Sequence, residues 1–354
     1  MYRFGWSGWG FLSDDFFKIK TIETPDGACY LRSTWLKHLA EKFSIYWLQK
    51  NREKNLVNKY AVKYDDKGFP DIDILFIEWR WKTWKNDRNH FNFSIDKYES
   101  DFDRQTELFE YYKNKIPIVI WDSDLKLIDN REIRKFAYVI DSSIKCYEKQ
   151  GEAFLFFDDE NHLNKLNIKI RPKFLYIGAN YERNYLFDKY IYQPAKHLFP
   201  DITTHVYGNW LNYSPERESP EKVLKKWGDA INFHKRCDKK EQKQLYQESL
   251  ATVNIMKDEY ASIGLLTSRF IETLHFGLIP FVPTEFYKGE MVYGKRFVVD
   301  NGEQVAEELK WLLKLSKKNI NLNEILNSAT FELRKNFSNC IYSKQITDFF
   351  LKKL

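Results

Sequence analysis

The string Ser268-Arg269-Phe270-Ile271-Glu272-Thr273 sets a guanidinium and a carboxylate three positions apart, on one face if the segment is helical. An acidic loop, Met256-Lys257-Asp258-Glu259-Tyr260, comes before it, and Gly277 afterwards releases the chain into the apolar run Leu278-Ile279-Pro280-Phe281-Val282. A helix opening after such a loop presents a positive amino-terminal end. Arg269 is then placed for a diphosphate, and Glu272 can accept hydrogen bonds from two ribose hydroxyls. An isolated R-x-x-E is usually a surface ion pair; the order strand, loop, helix, strand is what points to a ligand.

Three further strings carry chemistry. In Ile177-Gly178-Ala179-Asn180-Tyr181-Glu182-Arg183 a glycine turn precedes a helix, so backbone N–H groups could cradle phosphate with Arg183 as counter-charge; an ordinary βα turn is the plainer alternative. Ile118-Val119-Ile120-Trp121-Asp122-Ser123-Asp124 ends a buried strand in two carboxylates. Asp122 or Asp124 could take a proton from an acceptor hydroxyl, or Asp122 could simply cap a turn. From Glu78 to His90, rings alternate with bases, and Arg80, Trp81, Lys82, Lys85 and Arg88 suit a surface that grips phosphates and stacks on extruded bases. Tryptophans packing a domain beneath solvated charges fit that string equally well. The loop Gly5-Trp6-Ser7-Gly8-Trp9-Gly10 follows the first strand and brings Trp6 and Trp9 to the same edge.

Positioning these residues takes alternating strands and helices, which the chain spells twice. Strands are expected over 2–6, 45–48, 72–77, 116–121 and 136–140, with helices over 28–43 and 104–115. A second series has strands over 173–177, 203–207, 250–256, 278–282 and 297–299, with helices over 182–199, 220–230, 268–276 and 303–315. Two helices close the chain over 322–354. Open sheets of this kind take ligands beyond the carboxyl ends of their strands, where the strings above fall. Asp71-Ile72-Asp73 opens its strand and so points away from that edge.

The second half resembles the nucleotide-sugar half of GT-B glycosyltransferases, and more closely the phage DNA β-glucosyltransferases. There an acidic loop, an R-x-x-E-T helix and an E-F segment, here Glu285-Phe286, occur in this order, followed here by Arg296-Phe297-Val298-Val299-Asp300-Asn301. The similarity spans about residues 173–315. It implies an α/β, GT-B fold: two Rossmann-like domains facing a cleft, over 1–170 for the acceptor and 171–325 for the donor, with C-terminal helices over 326–354 crossing back to the first domain. It implies that Arg269 contacts the diphosphate, Glu272 the ribose and Asp258 a sugar hydroxyl. Gly178 and Arg183 match a phosphate loop that is richer in glycine and arginine in the family, Gly208-Asn209 matches a strand-ending pair, and Phe233-His234-Lys235 lies where the base is held through backbone groups. Asp122 matches the family's base. The implied reaction moves a sugar, in the first instance glucose, from a UDP-sugar to a hydroxymethylated pyrimidine flipped from duplex DNA, inverting at the anomeric carbon. A bacterial GT-B enzyme building a surface polysaccharide or glycolipid is the alternative. The D-x-D at Asp122 also matches metal-dependent GT-A enzymes, so a divalent metal is compatible but not required, and no cofactor is obligatory.

Composition sets the bounds. At 354 residues, 43% hydrophobic and 30% charged, the chain can build two packed cores. A mean hydropathy of −0.58 excludes a polytopic membrane protein. The net charge of +6 is mild, so any phosphate-binding surface must be local. Cys29, Cys146, Cys237 and Cys340 form no C-x-x-C, which argues against zinc or a disulfide framework and for the cytoplasm, the host's if the gene is a phage's. Only His234 and His275 of the seven histidines fall near the cleft, without metal-ligand spacing. The partners expected are a UDP-sugar and duplex DNA, with no membrane, for a monomer.

Overall fold

The computed structural model describes residues 1–8, 35–49, 60–79, 99–123, 125, 127, 131–151, 172–180, 182–212, 218–318, 322–337 and 345–354. They form two six-stranded sheets. The first comprises β1 (Tyr2–Ser7), β2 (Phe43–Trp47), β3 (Lys63–Tyr64), β4 (Ile74–Trp79), β5 (Ile118–Asp122) and β6 (Tyr138–Ile140), in the order β3-β2-β1-β4-β5-β6. The second comprises β7 (Lys173–Ile177), β8 (Thr203–Tyr207), β9 (Ile231–His234), β10 (Ala251–Val253), β11 (Ile279–Pro283) and β12 (Val298–Val299), in the order β12-β11-β10-β7-β8-β9. Each named pair of neighbours is parallel, so both sheets are doubly wound with the same strand order. That order reverses direction between β1 and β4 in one sheet and between β7 and β10 in the other. Those two crevices are where such sheets receive ligands.

β4, β5 and β11 are buried along their whole length because both faces of the sheets are covered. On one face of the first sheet Phe4, Trp6, Phe76 and Trp121 pack with Trp35, from a helical stretch at 35–39. On the other, Leu75, Ile77, Trp79 and Ile120 meet Leu108, Phe109 and Tyr112 of the helix Glu99–Tyr112. The two C-terminal helices part company. Asn323–Asn336 stays with the second half, where Asn336 Nδ2 donates to Met291 O at 3.0 Å. Ile346–Leu351 crosses back: Phe350 lies 4.7 Å from Phe4 and 5.2 Å from Phe76 between ring centroids, and Thr347 Oγ1 donates to His38 O at 2.9 Å.

The halves also meet through backbone. Ile144 N–H donates to Gly264 O at 3.0 Å and Leu266 N–H to Ser142 O at 2.8 Å. Gly264 has φ +67°, and a Cβ there would lie 2.8 Å from Ile144 Cδ1, so the contact requires glycine. It ties the end of the first sheet to the loop that leads into Arg269.

Two strands were not expected from sequence, β3 and β9. Both are short edge strands, and β9 is half-buried beyond Ile231, so neither carries an apolar run. The helix expected over 182–199 starts at Asn184 because Glu182 has φ +46°, and it passes through a π turn at Asp188–Tyr192. Asp71 and Asp73 sit at the opposite edge from the ligand crevice, both paired with Arg3. Among the described residues no helix is long and apolar enough to cross a membrane.

Candidate active site

The crevice between β7 and β10 is built around a buried phenol. Tyr176 is fully buried, Arg183 Nη1 donates to its hydroxyl at 3.0 Å, and the Arg269 guanidinium lies 5.5 Å from its ring centroid. Arg183 enters just before the helix Asn184–Phe187, and Arg269 enters from the first turn of the helix Ser268–His275, two separate elements converging on one point. Burial alone would push the phenol up, but the two guanidiniums outweigh it and hold Tyr176 below the ordinary tyrosine range. Arg269 Nη1 is buried and has no hydrogen-bond partner. A cationic nitrogen so placed needs an anion or acceptor to offset its desolvation.

Gly178 is what lets these groups meet. A Cβ at Gly178 would sit 2.7 Å from the Tyr176 hydroxyl and 2.9 Å from Arg269 Nη2. Its N–H, expected from sequence to face phosphate, instead donates to Tyr207 O at 3.0 Å, and the Asn180 N–H donates to Asn209 Oδ1 at 3.0 Å. Both amides are consumed in locking this loop to the one after β8, so at these two positions the arginine side chains, rather than a cradle of amides, supply the donors. Trp210 Nε1 donates to Gly178 O at 2.8 Å and completes the lock. Gly208 has φ +155°, and a Cβ there would fall 2.1 Å from Gly178 O, so both its backbone angle and its neighbour demand glycine.

Glu272 is buried, and Oε2 accepts from Gln242 Nε2 at 2.9 Å, while the same amide lies 3.0 Å from the Tyr246 hydroxyl. Burial next to that carboxylate raises the Tyr246 phenol. Gln242 comes from the helix Lys239–Glu248, which the sequence reading did not anticipate. Glu272 is therefore a buried, hydrogen-bonded carboxylate and not an exposed surface charge. Asp258 is exposed at the first position of the short helix Asp258–Ala261, just beyond β10.

Phe233-His234-Lys235 departs from expectation. The His234 carbonyl accepts from Gly208 N–H at 3.3 Å, its ring stacks on Tyr207 at 4.3 Å, and its Nε2 lies 2.9 Å from His205 Nδ1. Burial, with Lys173 nearby, pushes His205 down to about 4 and lowers His234 as well. The ring and carbonyl of His234 thus belong to the sheet edge, because residues 231–234 are a strand. Lys235 is exposed beyond it.

In the first sheet, Asp122 ends β5 opposite Trp79, fully buried, and its Oδ2 accepts from Leu127 N–H at 2.7 Å. It caps the turn that follows the strand. Trp6, expected on the cleft loop, is instead core: its ring stacks on Trp35 at 6.0 Å, and Nε1 donates to Glu78 Oε1 at 2.7 Å. The alternation of β1 puts Trp6 on the same face as Phe4. Glu78 therefore sits in a buried polar group with Ser7, Gln49 and Gln105, in which Gln49 Nε2 donates to Ser7 Oγ at 2.6 Å and Gln105 Nε2 to Glu78 O at 3.0 Å. Asp141, just past β6, has its carboxyl raised by burial. Asp124, Trp9, Arg80, Trp81, Lys82, Lys85 and Arg88 lie outside the described residues.

Two doubly wound sheets whose ligand crevices carry donors on one side and carboxylates on the other, joined by a returning C-terminal helix, match solved structures along nearly their whole length. Phage T4 β-glucosyltransferase aligns with a TM-score of 0.60 at 14% identity, covering 99% of this chain and 98% of the other. The chain has the GT-B fold. A glycosyltransferase of avilamycin A biosynthesis aligns with a TM-score of 0.54 at 10% identity over 100% and 97% of the two chains. The lipopolysaccharide outer core galactosyltransferase WaaB gives a TM-score of 0.52 at 9% identity over 99% and 100%. Comparison with protein-family models finds no match, and comparison with curated proteins finds none. In GT-B terms the phenol and arginines occupy the second domain's crevice and Asp122 the edge of the first.

Proposed function

We propose that the protein is a UDP-sugar-dependent hexosyltransferase. The observation that carries this reading is the buried, unpartnered Arg269 Nη1 beside Arg183, at the second sheet's crevice, with the buried carboxylate of Glu272 one turn along the same helix. A diphosphate satisfies the guanidiniums, and the vicinal hydroxyls of a ribose satisfy the carboxylate. Phage T4 β-glucosyltransferase, of the same fold, has been solved in complex with UDP-glucose and with UDP and Mn2+. Among the described residues no three His, Cys, Asp or Glu side chains cluster to hold a metal ion, and in this reading Arg183 and Arg269 meet the diphosphate charge.

The acceptor in this reading is the hydroxyl of a hydroxymethylated pyrimidine in duplex DNA. The support is the likeness to the phage enzyme, together with the run of rings and bases from Arg80 to Arg88 directly after β4. Asp122 takes the acceptor proton, the freed oxygen attacks the anomeric carbon from the face opposite the diphosphate, and UDP departs with its charge held by the arginines. The anomeric configuration inverts. A second reading, transfer to a polysaccharide or glycolipid, draws on the avilamycin and lipopolysaccharide enzymes of the same fold.

Incubating the protein with hydroxymethylated duplex DNA and a panel of UDP-sugars, then measuring nucleoside masses, separates these readings. One hexose per hydroxymethylpyrimidine is the expected product. UDP binding without any hexose gain moves the acceptor from DNA to a glycan or lipid.

A further inference from the structure

Tyr176 has a place in the site that no local motif signals, since a tyrosine in the middle of Lys173–Ile177 reads as core. Its ring does pack as core, edge-on to Phe187 at 5.9 Å and to Trp210 at 6.1 Å. Its hydroxyl, however, points to the one place where Arg183, Arg269 and Gly178 converge. Two guanidiniums brought together in a buried crevice repel each other, and an acceptor between them lowers that cost while fixing where each donor points. We propose that Tyr176 is a positioning residue for the diphosphate: its hydroxyl anchors Arg183 and keeps Arg269 turned so that Nη1 is left for a phosphoryl oxygen. This rests on the UDP-sugar reading above and adds to it a residue that touches the ligand only through the arginines.

The arrangement has a second consequence. The charged groups facing the phenol are Arg183 and Arg269, and both favour its ionised form. An ionised Tyr176 would compete with the diphosphate for the same two cations. UDP affinity should therefore fall as pH rises through the phenol's titration, because the bound diphosphate favours the protonated hydroxyl.

The test is Tyr176→Phe, which keeps the ring and removes only the hydroxyl, with binding of uridine and of UDP followed by calorimetry across pH. The expected result is an affinity for uridine within about twofold of wild type and a UDP affinity lower by roughly tenfold, since one charged hydrogen bond is lost. The alkaline decline in UDP affinity should be present in wild type and absent in the variant. A general loss of packing would lower uridine and UDP binding alike and leave the pH dependence in place; that outcome overturns the proposal. So does a variant whose UDP affinity and pH profile coincide with those of wild type. Wild-type protein that binds no UDP overturns the UDP-sugar reading itself, and this proposal with it.

Discussion

The carboxyl edges of the two sheets share a strand order and differ in everything they present. At the β7/β10 crevice, cations converge: Arg183 and Arg269 meet over a glycine, and the buried carboxylate of Glu272 accepts from Gln242. At the β1/β4 edge, among the described residues, Glu78, Ser7, Gln49 and Gln105 are buried together with, one strand along, Asp122, while the buried Arg104 beside Gln105 is turned to Leu48 O. The same topology thus supplies two crevices with different buried side chains: paired arginines at one, and Glu78 and Asp122 at the other. In the proposed reaction the first would hold the diphosphate and the second the hydroxyl that loses its proton. Fold alone would not separate them; which side chains occupy the switch points does.

That contrast can be broken from either side. The largest effect is expected at Asp122, where asparagine retains an oxygen to accept from Leu127 N–H but removes the base. Asp122→Asn should slow transfer by about 10² to 10⁴ with UDP affinity retained, read as initial rates against calorimetric binding. Equal rates would move the proton acceptor to another carboxylate, with Asp141, already raised by burial, next in line. On the cationic side, Arg269→Ala should weaken UDP binding by roughly 2 to 4 kcal/mol, because a buried diphosphate loses a charged donor. Unchanged UDP affinity would remove the assignment of that crevice.

Smaller effects sharpen the comparison. Gly208→Ala forces a Cβ against the Gly178 carbonyl at a backbone angle that side chains rarely adopt, and should lower stability by about 1 to 3 kcal/mol in a thermal melt. Gly8→Ala at the β1/β4 edge meets only side chains, Trp47 and Glu78, and should cost less. Smallest is Gln242→Leu, which takes a donor from Glu272 Oε2 and should weaken uridine binding by about 1 kcal/mol while leaving Arg269 untouched.

The sequence makes Arg269 and Glu272 readable because a helix turns spacing into proximity: three positions apart means neighbouring positions on one face, whatever surrounds them. Gly178 was legible as important and misleading as to why. Its amide is spent on Tyr207, and its value is the missing side chain. Tyr176 and Gln242 could not be found in this way, since each acts across an interface between elements far apart in the chain, and nothing local distinguishes a strand tyrosine that anchors arginines from one that fills a core. Trp6 illustrates the reverse. Counting by twos from Phe4 assigns it to the core, and its position beside a glycine loop suggested otherwise.

The helix Ile346–Leu351 sets a condition on how the protein is made. Phe350 closes a face of the first sheet against Phe4 and Phe76, and the bond from Thr347 to His38 links residues 309 positions apart. A domain that precedes another usually completes its core while the rest of the chain is still being synthesised. Here the first sheet must wait for residues translated after the whole second sheet, with Phe4 and Phe76 lacking their cover in the meantime. The first sheet precedes the second in synthesis and is completed after it.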